Sequence, residues 1–168
     1  MVEFVQGNIL DAEAEALINP VNCVGVMGAG LALQVRKRYP GVFRAYEHSC
    51  KAGVVQMGTV LVVRSGDGMF QNRGLPRFVI NLPTKYHWRD KSTLQGVVDG
   101  LLALVLEVER RKIKSIAVPA LGCGLGGLPW EDVLPRMISA FGYIPDVRVL
   151  IYEPEGRKWQ QENIRTTL

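Results

Sequence analysis

Residues 19–33 read NPVNCVGVMGAGLAL. An Asn-Pro-Val-Asn turn runs into Gly25, Gly28 and Gly30. The chain then takes up a helical pattern, Leu31-Ala32-Leu33-Gln34-Val35, closed by Arg36, Lys37 and Arg38. Glycine accepts positive φ and lets a ligand approach the backbone closely. A glycine turn feeding a helix N-terminus presents unpaired N–H groups and a positive dipole end, which together suit a phosphate. Cations in the last turn fit the opposite pole. The stretch lacks the GxxxxGK pattern of a nucleoside triphosphatase and departs from the GxGxxG dinucleotide fingerprint. Taken alone, a tight turn that packs a helix on a sheet explains it equally well.

A second turn of the same make, Gly122-Cys123-Gly124-Leu125-Gly126-Gly127, follows the apolar run at 115–118 and precedes a helical pattern opening at Pro129. Its four glycines exceed what one turn requires. Two such turns facing each other make a cleft walled by backbone N–H groups, suited to a diphosphate with a sugar on either side. Cys123 itself reads as a small packing residue. A reactive thiol needs a cationic or histidine neighbour, and neither His48 nor His87 has a sequence reason to be there.

The third place is Thr84-Lys85-Tyr86-His87-Trp88-Arg89, just past the apolar run at 78–82. A lysine at a strand's C-terminal end sits where active-site loops sit. It can pair with phosphate, act as a general acid, or attack a carbonyl-like carbon once desolvated; a solvated surface lysine is the commoner case. Tyr86 and Trp88 either stack on a base or pack on the sheet. Asn22 either closes an Asx turn or holds a sugar hydroxyl, and Asn8 is likewise a cap or a ligand contact.

Around these places the pattern gives strands at 2–6, at 16–19 stopped by Pro20, at 59–63, at 78–82 cut at Pro83, at 115–118 and at 147–152. Helices follow the first glycine turn as far as Tyr39 and run over 42–51 with Gly53 as the stop. A third runs from Thr93 to Arg111 under a Ser92 cap, and a fourth over 129–141 with Pro129 as its first residue. Residues 65–76 read as an exposed hairpin or loop, and 155–168 as a final helix, a frayed tail or a linker. Strands separated by helices predict an α/β sandwich whose mixed sheet is covered on both faces, with ligands beyond the strands' C-terminal ends.

The 168 residues suit one domain, and 48% hydrophobic with 21% charged residues is a globular composition. Twenty Lys and Arg against 16 Asp and Glu give +4, compatible with a polyanionic partner. Three cysteines without CxxC spacing predict a reducing compartment and no structural metal. No apolar run approaches the roughly 20 residues of a membrane span, so the default location is cytoplasmic.

With both turns placed, the chain resembles a macrodomain, the ADP-ribose-binding fold. The resemblance runs from Val2 to Pro154. It rests on Gln6-Gly7-Asn8-Ile9-Leu10, Asn19-Pro20-Val21-Asn22, residues 25–32, Asn81-Leu82-Pro83-Thr84-Lys85 and residues 119–130. Within that family it is most similar to the DarG antitoxin branch, related to the terminal ADP-ribose protein glycohydrolase. The resemblance implies a three-layer α/β/α sandwich over residues 1–154. It implies an enzyme that removes ADP-ribose from thymidine in single-stranded DNA, with no metal or cofactor. ADP-ribose, ADP-ribosylated DNA and a cognate DNA ADP-ribosyltransferase toxin would be its partners. Residues 155–168 would be a tail or a link to a further domain.

Position by position, the resemblance makes Lys85 the catalytic residue at the anomeric carbon of the distal ribose, with Asn22, also counted as catalytic, contacting that ribose or the base attached to it. Asn8 and Ile9 would meet the adenine, bordered by Glu153 and Pro154. Gly28, Ala29, Gly30 and Leu31 would cradle one phosphate, and Gly122, Cys123, Gly124, Leu125 and Gly126 the other phosphate and the distal ribose. Pro20, Val21, Pro119 and Leu121 would also contact ADP-ribose, and Thr84 would flank the lysine. The protein-directed enzyme carries an aspartate where Gly126 stands, which counts against glutamate-linked protein substrates. A non-catalytic ADP-ribose reader and a hydrolase of protein-linked ADP-ribose are the alternatives.

Overall fold

The computed structural model describes residues 1–66 and 76–156. In chain order the elements are β1 (Val2–Val5), a single 3-10 turn (Ile9–Asp11), β2 (Ala16–Val21), α1 (Gly30–Arg38), α2 (Pro40–Lys51), β3 (Leu61–Arg64), β4 (Phe78–Pro83), α3 (Leu94–Arg110), β5 (Ser115–Pro119), α4 (Trp130–Phe141) and β6 (Arg148–Tyr152). The six strands form one sheet in the order β1-β6-β5-β2-β4-β3. All neighbours are parallel except β3, which runs antiparallel to β4. This is the mixed sheet expected from the alternation of strands and helices.

The period-2 alternation of the strands divides the core into two layers. Ala16, Ile18, Phe78, Ile80, Leu82, Ile116 and Val118 pack with the apolar faces of α3 and α4. Leu17, Val79 and Ala117 point the other way and pack with Val35, Tyr39 and Val42 of α1 and α2. Each fully buried Leu or Ile here contributes roughly 1.5–3 kcal/mol. Gly100 lets α3 lie close on the sheet, because a Cβ there would meet Leu82 Cδ2 at 2.7 Å. That contact brings the N-terminus of α3 against the end of β4, where Lys85 follows.

Several boundaries differ from the sequence reading. β2 does not stop at Pro20 but runs through it to Val21. Val21 C=O accepts the Thr84 N–H and Glu15 C=O accepts the Phe78 N–H, so odd-numbered residues of β2 bond to β4. Pro20, an even position, faces β5, whose pairing with β2 extends only over Ala16 and Leu17. Its missing N–H therefore costs no ladder bond. Pro83 similarly belongs to β4. The cap of α3 is Thr93, whose hydroxyl accepts the Gly96 N–H, rather than Ser92. Pro129 is the N-cap of α4 rather than its first residue, and Pro40 opens α2 two residues earlier than expected. Most of the expected loop at 65–76 and of the tail at 155–168 lies outside the described residues.

Candidate functional site

β2 leads to β4 on one side of the sheet, and β5 leads to β6 on the other. The strand order therefore reverses between β2 and β5, which is where open α/β sheets bind ligands. The two strands diverge after Leu17 and Ala117. Beyond them opens a cleft of about 930 Å³ bounded by both glycine turns and the segment after β4.

The first wall is residues 26–32. The first α1 bond runs from Leu33 N–H to Ala29 C=O at 3.2 Å, leaving the N–H groups of Gly30, Leu31 and Ala32 without an intrahelical partner. No side chain caps this end. The second wall is residues 119–126. Its turn is held by Leu128 N–H to Gly122 C=O at 2.9 Å and Gly127 N–H to Gly124 C=O at 3.1 Å. Among the described residues, no backbone bond uses the N–H groups of Gly124, Leu125 and Gly126. The two walls meet at the rim: a Cβ on Gly30 would lie 4.0 Å from Leu125 Cδ1.

Gly126 admits no side chain. A Cβ there would strike Ser92 Oγ, lie 2.5 Å from the Gly122 carbonyl oxygen and 2.8 Å from Ser92 Cβ. Ser92 clamps this point. Its N–H donates to Gly126 C=O at 3.0 Å and its hydroxyl donates to Thr84 Oγ1 at 3.3 Å. The second turn is thereby tied to the segment that carries the lysine.

That segment is also tied to β2. Thr84 N–H donates to Val21 C=O at 3.0 Å, and Cys23 N–H donates to Tyr86 C=O at 2.8 Å. Lys85 is fixed between these bonds, half-buried, and lines the cleft. It makes no ion pair among the described residues. Arg89 and Lys91 line the same cleft with Asp90, so three cations stand against one carboxylate.

The amide of Asn22 is largely committed. Its Oδ1 accepts from Val24 N–H at 3.0 Å, Val26 N–H at 3.4 Å and Tyr46 Oη at 2.8 Å, and its Nδ2 donates to Val26 C=O at 2.7 Å. It closes an Asx turn and holds the first glycine turn in shape, leaving one Nδ2 proton for a ligand. Tyr46 is fully buried behind this turn. Burial, reinforced by Cys50, pushes its phenol above the usual range. Burial likewise pushes the Cys23 thiol up to about 11. Deeper still, Asn19 Nδ2 donates to Asn81 Oδ1 at 3.0 Å, and Asn81 Nδ2 donates to Leu61 C=O at 3.3 Å, a polar strap across β2, β4 and β3.

Of the residues singled out in the sequence, Pro20, Val21, Asn22, Gly28, Ala29, Gly30, Leu31, Thr84, Lys85, Pro119, Gly122, Gly124, Leu125 and Gly126 line this one cleft. Leu121 does not; it is fully buried in the α3–α4 core. Cys123 is half-buried, with its thiol donating to Leu121 C=O at 3.5 Å. Asn8 caps the 3-10 turn through Leu10 N–H, and Ile9 is buried in the α1–α2 layer. These two, with Glu153 and Pro154, follow β1 and β6 at the same edge of the sheet, outside the cleft proper. The sequence marks Ser92 only as the cap of α3 and Val26 only as part of the 25–32 motif, and it does not mark Tyr46, Asp90 or Lys91 for the site. A helical tyrosine carries no pattern that distinguishes a turn clamp from a core residue.

No group of three or more metal-ligating side chains occurs among the described residues. No helix among them is long and apolar enough to cross a membrane.

A family model for the Macro domain matches residues 18–137. Over 158 residues, 93% of this chain, the sequence is 49% identical to a DNA ADP-ribosyl glycohydrolase of Mycobacterium tuberculosis, of which it covers 43%. The chain thus spans less than half the length of that curated relative. The solved macrodomain of Mycobacterium tuberculosis DarG superposes with a TM-score of 0.87 at 48% identity, covering 92% of this chain and 99% of that one. The structure of Thermosipho africanus DarTG in complex with ADP-ribose superposes with a TM-score of 0.85 at 32% identity, covering 97% of this chain and 44% of that one.

Proposed function

The chain belongs to the macrodomain family, on its DarG branch, and from that membership we propose that it is a hydrolase releasing ADP-ribose from thymidine bases of single-stranded DNA. The observation that carries the reading is the junction of three features in one cleft: two facing turns of unpaired backbone N–H groups, and Lys85, which makes no ion pair among the described residues. The turns suit a diphosphate, which backbone donors hold without any cost of reorganisation. In this reading the first turn grips the phosphate nearer the adenosine, and the second grips the other phosphate and the distal ribose. Asn8, Ile9, Glu153 and Pro154 border the adenine. Asn22 contributes its spare Nδ2 proton to the distal ribose and otherwise shapes the turn.

Lys85 acts at the anomeric carbon of the distal ribose. Holding that carbon against a fixed amine converts a slow bimolecular step into an intramolecular one. Either the amine attacks the carbon as the bond to the base breaks and water then hydrolyses the adduct to release ADP-ribose, or its charged form stabilises the departing base while water attacks the carbon. The +4 chain favours a polyanionic substrate, so turnover falls as salt rises. DNA as the substrate puts the working protein in the cytoplasm. A DNA ADP-ribosyltransferase would supply that substrate and is its functional partner.

Protein-linked ADP-ribose is the weaker reading. The aspartate of the protein-directed branch has no room at Gly126, where even a methyl group meets backbone oxygen. The test is release of ADP-ribose from an ADP-ribosylated oligonucleotide by the wild type and by Lys85→Ala. We expect the variant to bind free ADP-ribose in calorimetry while releasing it from DNA at least about a hundredfold more slowly, the lower end of the range for one positioned acid–base group. Equal release by both proteins removes Lys85 from the mechanism. Binding without turnover by the wild type on any linkage makes the protein a reader.

A further inference from the structure

Residues 86–91 form a compact turn at the mouth of the cleft that the chemistry above does not use. Asp90 Oδ2 accepts the His87 N–H at 2.9 Å, Asp90 N–H donates to His87 C=O at 3.0 Å, and Arg89 N–H donates to His87 Nδ1 at 3.2 Å. Both ends are anchored, at Tyr86 by Cys23 and at Ser92 by Gly126. This rigid turn holds two aromatic rings out in water: Trp88 is 46% exposed and Tyr86 64%. The Arg89 guanidinium lies 4.6 Å from the Trp88 ring centroid, and the His87 ring lies 5.3 Å from it. Leu125, 66% exposed, stands on the opposing wall of the same cleft.

Exposed aromatics grouped at a cleft mouth mark a binding surface rather than a core. Two observations say for what. The rings are interleaved with Arg89 and Lys91, neither of which makes an ion pair among the described residues. The only carboxylate of the turn, Asp90, is occupied by the turn's own backbone. Flat rings alternating with unpaired cations complement stacked bases on a phosphate backbone. We propose that this turn is a single-strand platform: Trp88, with Arg89 packed on it, stacks nucleobases flanking the modified nucleotide, while Arg89 and Lys91 meet the adjoining phosphates. The proposal deepens the DNA-directed reading above and rests on it for the identity of the strand.

Because the platform lies beside Lys85 in sequence and in the same cleft, it presents the strand to the reacting carbon. It acts on recognition of the strand rather than on the bond being broken.

The test is fluorescence anisotropy of a labelled ten-nucleotide oligodeoxythymidine, unmodified, titrated with the wild type, Trp88→Ala, Trp88→Phe and Arg89→Ala. Loss of one stacked base weakens binding about tenfold or more, and the phenylalanine variant recovers most of that. Arg89→Ala lowers the slope of log affinity against log salt by about 0.7, the value for one phosphate contact on a single strand. Calorimetry with free ADP-ribose runs beside each titration, and the oligonucleotide loss exceeds any ADP-ribose loss. Wild-type affinity in Trp88→Ala, no oligonucleotide binding by the wild type, or equal losses for both ligands would each overturn the platform. Release from ADP-ribosylated oligonucleotide is measured in parallel. Absent release with Trp88-dependent strand binding removes the catalytic reading and leaves the platform standing; release that ignores Trp88 removes the platform alone.

Discussion

Gly126→Ala is the perturbation whose outcome the structure defines most sharply. The new methyl carbon would sit 2.5 Å from the Gly122 carbonyl oxygen and 2.8 Å from Ser92 Cβ, and nearer still to Ser92 Oγ. Rotation of the Ser92 hydroxyl relieves only one of these contacts. The carbonyl is backbone and already accepts from Leu128 N–H at 2.9 Å, so the turn itself must move. Overpacking of this kind costs about 1–3 kcal/mol. Displacing the bond from Ser92 N–H to Gly126 C=O adds about 1 kcal/mol. A total near 3 kcal/mol lowers the melting temperature by roughly 6–12 °C in a chain of this length.

Gly124→Ala is the control for stability, because a Cβ there meets nothing within 4 Å. It should melt within about 1–2 °C of the wild type, the range of a neutral surface change. The assay is thermal unfolding of the three proteins together with calorimetric titration of ADP-ribose. Gly126→Ala should lose at least tenfold in affinity, since the unpaired N–H groups of residues 124–126 shift with the turn. Gly126→Asp should be worse on both counts and should gain no activity on protein-linked ADP-ribose. If Gly126→Ala melts and binds like the wild type, the second turn is not the rigid wall described here. Full rescue by adding Ser92→Ala would show that the hydroxyl, and not the backbone oxygen, sets the limit.

Three further outcomes follow from the same contacts. Asn22→Ala removes the acceptor of Val24 N–H and one acceptor of Tyr46, costing about 1–3 kcal/mol, and weakens ADP-ribose binding as the first turn loosens. Tyr46→Phe, which leaves every cleft-lining atom in place, should reproduce part of that affinity loss in the same calorimetric assay. Thr93→Ala should cost about 1 kcal/mol through loss of the α3 cap and spare ADP-ribose affinity, whereas Ser92→Ala should reduce the affinity; the opposite pattern would restore Ser92 as the cap. Cys23 holds its proton more tightly folded than unfolded, its pKa raised to about 11 by burial. Its contribution is therefore complete below pH 9 and is lost as pH rises toward 11. Urea unfolding across that window should show a falling stability whose slope is shallower in Cys23→Ala.

The order and type of the elements were legible because each long segment carries one unambiguous period. The apolar positions Val97, Leu101, Leu104, Val105 and Val108 recur at helical spacing, and all are buried in the layer over the sheet. Both glycine turns were legible as walls of one cleft, since their spacing after apolar strands and before helices fixes them at one edge. What stayed hidden depends on partners distant in sequence. Ser92 and Thr93 are equivalent cap candidates until the second turn is seen to occupy Ser92. The commitment of Asn22 depends on Tyr46, 24 residues away on a helix whose pattern predicts only packing. Leu121 falls within a motif that marks it for the ligand, yet the turn after β5 carries its side chain into the α3–α4 core.

Proline carries the most instructive difference between the two readings. Read along the chain, Pro20 and Pro83 end their strands, because neither can donate to a ladder. In the sheet each sits inside a strand tip at a position whose missing N–H faces away from a paired neighbour. Pro20 faces the side from which β5 has already departed, and Pro83 lies past the last β3–β4 pair, Leu61 with Asn81. At Pro20, β2 thus runs on without a donor that could close the gap to β5, and Pro20 itself lines the resulting cleft. The cleft is therefore specified by which donors the sequence omits as much as by the glycines that wall it.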